Sequence, residues 1–306
     1  MAAGLARDGH DVLACDADPA VVAAVNTRGL RIEGPAANFT VRLPAVVPAD
    51  LPPRLEHPVL VAVRAHDTAA AAALLAGRLH GDGYAVCLQN GMTAGILARA
   101  AGPERVVAAV VNFGAEVLEP GVVLRGNRAS FMIGEPDGSL TGRVRSLASD
   151  MEDATATRDI LGYLWAKLAC EAMLAATAVS DLPVAVALEE PAYQALLVEL
   201  AQQVVAQAPV RPMPLDGFDA TDLAGSLTRL ARFSRASAIP HSGIYRDLAV
   251  LHHPTEVPAI LGGLDGTLVP RVVELVQAIE QGRRSCAREN LTCSRRTSGW
   301  NGWGGR

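Results

Sequence analysis

The sequence predicts an α/β protein: a doubly wound parallel sheet followed by an all-α domain. Three observations predict it. Apolar runs of strand length alternate with helix-like segments between residues 11 and 114. From about residue 158 the pattern changes and the chain reads mainly as helices. Half of the 306 residues are hydrophobic, which is material for two cores at a prior of about 150 residues per domain.

Residues 2–8 are helix-like, with Gly9 at the stop. "DVLAC" (11–15) suits a buried parallel strand. "PAVVAAVNTRG" (19–29) reads as a helix, with Pro19 in its first turn and Gly29 past its end. "FTVRLPAVV" (39–47) alternates like an edge strand or hairpin. "PVLVAVRAHDT" (58–68) is a buried strand leading into a helix at 68–80. "YAVCLQNGM" (84–92) is a strand with a polar tip, running into a helix at 93–101, and "RVVAAVVNFG" (105–114) is a further strand. Pro-Gly and Gly-Asn punctuation in 116–135 predicts antiparallel strands. Helices are expected at 159–180, 189–208, 219–235, 242–251 and 267–281. The expected domains are 1–157 and 158–285. The segment 286–306 lacks periodicity and is expected to be a disordered tail.

The bulk properties exclude several classes. A net charge of −5 argues against a nucleic-acid protein. Arginines with Trp300 and Trp303 at the end of the chain are a weak counter-signal for stacking on a single strand. Cysteines 15, 87, 170, 286 and 293 form no CxxC or Cys/His spacing, so no metal is expected, and reduced thiols imply a cytoplasmic protein. Apolar runs are interrupted by charge and no secretory signal opens the chain, so no membrane partner is expected.

Four stretches can carry chemistry. Asp16 ends the strand at 11–15, where an acid can bind a ribose 2′-hydroxyl; Asp16 or Asp18 can equally cap the helix at Pro19. Asn90 and Gly91 leave the sheet at a strand's carboxyl end, as a ligand contact or as a plain turn. Arg64 lies at the same edge, as a phosphate contact or a solvated charge. Lys167 interrupts an apolar helix, with Glu171 and Ala175 on its face. A Lys–Glu pair at this spacing is usually a weak surface pair, yet a desolvated lysine there is a usable general acid. "HSGIYRDLAVLHHPTEVPA" (241–259) offers Ser242, Asp247, two histidines and Glu256. Adjacent histidines point apart, which disfavours a metal. Glu256 is a candidate general base or lysine partner, or an acid at the start of the next helix.

Taken in order, "GLARDGHDVLACDADP", "TRGLRIEGP", "LVAVRAHDT", "LQNGM", "EPGVVLRGN", "LWAKL", "PLDGFD" and "HSGIYRDLAV" resemble the ketopantoate reductases (2-dehydropantoate 2-reductases) from residue 1 to about 291. The resemblance implies a Rossmann-like NAD(P)-binding domain followed by a helical substrate domain. It implies NAD(P)H-dependent reduction of a 2-oxo acid to a 2-hydroxy acid, 2-dehydropantoate to pantoate for the family, on the way to pantothenate and coenzyme A. Lys167 matches the catalytic general acid, and Glu256 the glutamate near the nicotinamide ribose and substrate. Asn90 matches the asparagine touching cofactor and substrate, and Arg64 replaces the family's phosphate-contacting lysine. The family points to NADP, while Asp16 leans to NAD. Substrate-binding candidates are Asn90, Lys167, Glu171 and Ser242. Glu171 and Ala175 stand where the family carries asparagines, and Gly243 stands at the substrate serine position with Ser242 beside it. The lysine–glutamate chemistry is therefore expected to be retained and the substrate pocket altered. The match begins in mid-motif, so the first strand and the glycine-rich loop are expected to be missing from this chain. The expected partner is a small molecule, with a homodimer left open. The alternatives are a related oxidoreductase on another oxo acid and a truncated, non-catalytic relic.

Overall fold

The computed structural model describes residues 1–292. Two compact units divide the chain: Met1–Lys167 with Ala236–Ile239, and Leu168–Arg235 with the residues from Pro240 onward. The division falls inside a helix, later than the boundary expected at 157, and the short return at 236–239 has no signature in the sequence.

The first unit runs α1 (Ala2–Arg7), β1 (Ala14–Cys15), α2 (Pro19–Arg28), β2 (Leu30–Glu33), β3 (Phe39–Val41), β4 (Ala45–Val46), β5 (Val59–Val61), α3 (Thr68–Leu75), β6 (Ala85–Cys87) and α4 (Ala94–Ala101). It continues with β7 (Val106–Val111), β8 (Ala115–Glu119), β9 (Val122–Arg125), β10 (Phe131–Gly134), α5 (Gly142–Asp150), β11 (Ala154–Ala156) and the start of α6 (Ile160–Ala178). Its largest sheet has the order β11-β10-β7-β6-β5. β5, β6 and β7 are parallel, and β10 is antiparallel to β7. The expected parallel core is present, and the antiparallel strands expected in 116–135 appear as the β8–β9 hairpin and as β10 at the margin of that core. β8 and β9 join β2 and β3 in a four-stranded sheet, and β1 pairs in parallel with β4 in a third.

Two apolar runs become strands buried on both faces, β6 and β7, as central parallel strands must be. The strand expected at 11–15 is corrected: only Ala14–Cys15 pair, and they are half-buried and exposed, because β1 lies outside the central sheet. Val61, Ala85, Cys87 and Val106 face one side and pack against Ala72 and Leu75 of α3 and Leu97 of α4. Val86, Val107 and Ala109 alternate to the other side and meet Val144 and Leu147 of α5. Residues 39–47 form no single strand: Pro44 lacks an amide for the ladder, so β3 and β4 separate into different sheets. The carbonyl of Pro44 accepts instead from the Ala14 amide at 2.9 Å.

Two ionic clusters fix this unit. Beyond β10, Glu135, only 5% exposed at its side chain, accepts two bonds from Arg143, at 2.7 and 2.6 Å, and one from the Thr141 hydroxyl at 2.6 Å. Nearer the surface, Arg125 and Arg128 bind Glu152 and Asp153 at 2.7–3.3 Å. The Arg128 hydrogen bond holds the Asp153 carboxyl below its usual range, against the opposing effect of burial. A carboxyl depressed by folding stabilises the protein above its unfolded value near 4, and that contribution disappears as pH falls through the folded value. Thermal melts from pH 6 down to pH 3 are expected to show a loss of melting temperature that Asp153→Asn flattens. An unchanged slope in the variant assigns acid sensitivity to other groups.

The second unit continues α6 and adds α7 (Val184–Glu189), α8 (Pro191–Val205), α9 (Leu223–Arg235), α10 (Gly243–Arg246), a π-helical turn at Asp247–Leu251, α11 (Val257–Leu261), α12 (Val269–Glu280) and α13 (Glu289–Thr292). The helix expected at 189–208 begins at Pro191, which has no amide to extend a preceding helix. Glu190 caps it by accepting from the Ala192 amide at 3.4 Å, and α7 ends just before. α6 carries fully buried Ala169, Ala172, Ala175 and Ala176. Contrary to the expectation of short apolar runs, α6 is long and apolar enough to cross a membrane by length and composition, but 72% of that window is buried in the protein.

The expected tail is corrected in its first part. The Ala287 amide donates to the Val179 carbonyl at 3.0 Å, Asn290 Nδ2 to the same oxygen at 2.8 Å, and Leu291 is buried. Cys293, Trp300 and Trp303 lie outside the described residues.

Candidate functional site

Three of the predicted residues gather at one edge of the first unit. Val61, Cys87 and Ala108 are level with one another across β5, β6 and β7. Three residues further along each chain stand Arg64, Asn90 and Val111. Neighbouring strands are about 4.8 Å apart, so these positions follow one another along the carboxyl edge of the parallel core. The Lys167 ammonium reaches this edge from α6 and donates to the Val111 carbonyl. Open α/β sheets bind ligands at this edge.

The loops are fixed from below. Gln89 turns inward, 6% exposed, and its Nε2 donates to Thr68 Oγ1 at 2.6 Å and to the Arg64 carbonyl at 3.3 Å. Thr68, fully buried, passes its own proton to the Ala65 carbonyl at 2.7 Å. The Cys87 thiol lies 3.7 Å from Gln89 Oε1 and 3.3 Å from Thr93 Oγ1, and burial pushes it up, so it stays protonated. This buried relay ties the loop that carries Arg64 to the loop that carries Asn90. Gly91 follows with φ of 78°, a left-handed conformation that favours glycine. The Asn-Gly pair therefore is a turn, and the turn presents Asn90, half-buried, at the edge. Gln89 and Thr68 were missed by sequence reasoning; a glutamine at the end of a fully buried strand was the available signal.

Asp16 ends β1 and is exposed. Its Oδ1 accepts from the Asp18 amide at 2.8 Å, while Asp18 Oδ1 accepts from the Ala20 amide at 2.8 Å. The helix cap is thus Asp18, worth about 1 kcal/mol, and Asp16 shapes the turn in front of it. This leaves an acid at the carboxyl end of β1, the position a ribose hydroxyl requires.

Three predicted residues belong to the second unit. Glu171 is half-buried on α6, four residues beyond Lys167. Ser242 is the N-cap of α10, where its hydroxyl oxygen accepts from the Tyr245 amide at 3.2 Å. Glu256 is half-buried at the N-cap position of α11, and its carbonyl accepts from the amides of Ala259 and Ile260, both at 3.0 Å. Ala175 is fully buried and presents no polar atom of its side chain.

The residue types are compatible with a dinucleotide at two places: the acid beyond β1, and Arg64 with Asn90 at the strand ends. No Gly-x-Gly-x-x-Gly run precedes a helix in this sequence, so a pyrophosphate cradle is not among these residues. A cavity of about 120 Å³ in the first unit lies elsewhere, between α1 and the four-stranded sheet, and none of the predicted site residues lines it.

Comparison with known proteins supports the fold. Residues 1–138 match the family model described as ketopantoate reductase PanE/ApbA. A PanE/ApbA family ketopantoate reductase from Ralstonia eutropha JMP134 superposes with a TM-score of 0.77 at 25% identity, over 92% of this chain and 94% of that one. A 2-dehydropantoate 2-reductase from Geobacter metallireducens GS-15 gives 0.76 at 22% identity, over 92% and 95%. A D-mandelate dehydrogenase solved with NADH and anilino(oxo)acetate gives 0.78 at 16% identity, over 92% and 94%. No curated protein matches the chain.

Proposed function

We propose, from the membership of residues 1–138 in the ketopantoate reductase PanE/ApbA family, that this chain reduces a 2-oxo acid to the 2-hydroxy acid with a reduced nicotinamide cofactor, 2-dehydropantoate being the first substrate to try. The observation that carries this reading is the Lys167 ammonium held on Val111 at the sheet edge that also presents Asn90 and Arg64. When bound, the cofactor supplies the hydride. Lys167 donates a proton to the carbonyl oxygen as negative charge develops there. The Val111 carbonyl accepts a hydrogen bond from one of the three ammonium N–H groups and so restricts where the others point. Asn90 can donate to and accept from substrate and cofactor, and Arg64 offers a cation to a phosphate. Glu256 is the second catalytic candidate, as partner to Lys167 or to the nicotinamide ribose. Asp16 accepts from a ribose 2′-hydroxyl and repels a 2′-phosphate, which favours NADH over the family's NADPH.

Absorbance of NADH and of NADPH, followed with 2-dehydropantoate and a panel of 2-oxo acids, tests this. The expected result is oxidation dependent on the oxo acid, faster with NADH, with Asp16→Ser shifting the preference towards NADPH. Failure of every oxo acid, together with no binding of either cofactor, overturns the reading.

A second reading keeps the reaction and changes the substrate. Glu171 and the buried Ala175 replace two amides that would hold ketopantoate, and Ser242 is engaged as a helix cap. A carboxylate at 171 repels the substrate's own carboxylate unless a cation compensates it. The best substrate is then another 2-oxo acid in the same panel.

A further inference from the structure

We infer that Glu280 is a positioning residue for Glu256 and acts through Thr255; the inference rests on the role given to Glu256 above. The two acids are far apart in sequence, at the start of α11 and at the end of α12. Thr255 joins them. Its amide and its hydroxyl both donate to Glu280 Oε1, each at 2.7 Å. Having given its proton to Glu280, the Thr255 oxygen accepts from the Val257 amide at 3.3 Å. Thr255 is 4% exposed, so these bonds form away from water, where they are stronger and costlier to lose.

The consequence falls on Glu256, which lies between Thr255 and Val257. The residue before it is held through the Thr255 amide and hydroxyl, and the peptide after it through the Val257 amide. Its own carbonyl is held by Ala259 and Ile260. Pro254 and Pro258 restrict the backbone on both sides. Upstream, the His253 amide donates to the Asp247 carbonyl at 2.9 Å, which ties the segment to the π-helical turn. A side chain on so determined a backbone leaves its Cα in one direction. One carboxylate oxygen from α12 supplies two of the bonds that determine it.

Among the described residues one oxygen of Glu280 is used, Oε1, and it acts as an acceptor. Gln can reproduce that; Ala cannot. Turnover, substrate KM, its pH profile, and amide hydrogen exchange at Thr255 and Val257 are to be measured for wild type, Glu280→Ala, Glu280→Gln, Glu256→Gln and the double variant Glu280→Ala/Glu256→Gln. Glu280→Ala is expected to deprotect the Thr255 and Val257 amides and to lower kcat on the order of 10²-fold, the usual cost of about 1 Å of misplacement. Glu280→Gln restores both. The double variant is expected to be no slower than Glu256→Gln, because Glu280 has no effect once its client is gone. Additive losses, or full turnover in Glu280→Ala while Glu256→Gln is impaired, overturn the inference. Full turnover in Glu256→Gln overturns the functional reading of Glu256 and the inference with it. Amide exchange then still reports, independently of activity, whether Glu280 holds the segment.

Discussion

Lys167→Ala is expected to lower kcat for oxo-acid reduction by about 10²- to 10⁴-fold, the usual contribution of a positioned general acid. Cofactor affinity, read by fluorescence titration, is expected to change little, because the lysine meets the sheet edge through a backbone carbonyl. The loss is in kcat and in kcat/KM alike if the proton is given only in the transition state. Lys167→Arg keeps the charge but not the function, since a guanidinium does not give up a proton at ordinary pH and its planar head does not reproduce the ammonium's geometry. Full turnover in Lys167→Ala, with a protein that still melts cooperatively, removes the lysine from the chemistry. A pure rise in KM would make it a substrate anchor instead.

The second large effect is on stability. Glu135→Ala is expected to destabilise the first unit by about 3–5 kcal/mol, as when one partner of a buried ion pair is removed. The cost does not come from a lost attraction alone. Arg143 would keep its charge, since a guanidinium stays protonated at ordinary pH, and would lose two acceptors at once. The Thr141 hydroxyl would lose its acceptor too. Arg143 is further tied to the Glu104 carbonyl at 2.7 Å and stacked 4.9 Å over the Tyr84 ring, so it cannot swing into water without giving up those contacts. Replacing both charges, as in Glu135→Leu/Arg143→Met, is expected to recover most of the loss, because no buried charge is left unpaired. Denaturant titration of the single and double variants decides this. A single variant within about 1 kcal/mol of wild type would mean that water already reaches the pair.

The parallel core was legible because full burial leaves its mark in composition: 106–111 contain nothing polar, and no other reading suits six such residues between turns. The antiparallel strands of 116–135 were legible from their Pro-Gly and Gly-Asn punctuation. That β10 leaves the β8–β9 hairpin to pair with β7 was not, since it depends on packing and not on the strand's own residues. Proline decided two further departures. Pro44 interrupts an apolar run whose periodicity says continue, and Pro191, after two glutamates, sets the first position of α8; in both places the missing amide decides the boundary. At the site, Lys167 was legible as a charge in an apolar helix. Its acceptor was not, because a backbone carbonyl has no sequence signature. Glu280 and Thr255 escaped for a related reason: 25 positions separate them, and nothing in either neighbourhood points to the other. The ordered start of the expected tail was hidden in the same way, since residues 286–292 are mostly polar and two of their bonds go to the backbone carbonyl of Val179.

The parallel pair β1–β4 has a thermodynamic consequence. Among the described residues these two-residue strands pair only with each other, over a small cluster of Val25, Leu43 and Ala45. An isolated two-stranded ladder is marginal by itself, so this corner belongs to the low end of the local opening free energies, while the strands beside Asn90 belong to the high end. Asp16 is therefore expected to follow an element that opens readily, and Asn90 one that does not; amide hydrogen exchange at Ala14 and Val86 checks this. A dinucleotide grasped at both would pay part of its binding free energy to quiet the Asp16 end. Affinity for the ribose would then be set by the cost of ordering a corner of the fold as much as by the hydrogen bond itself.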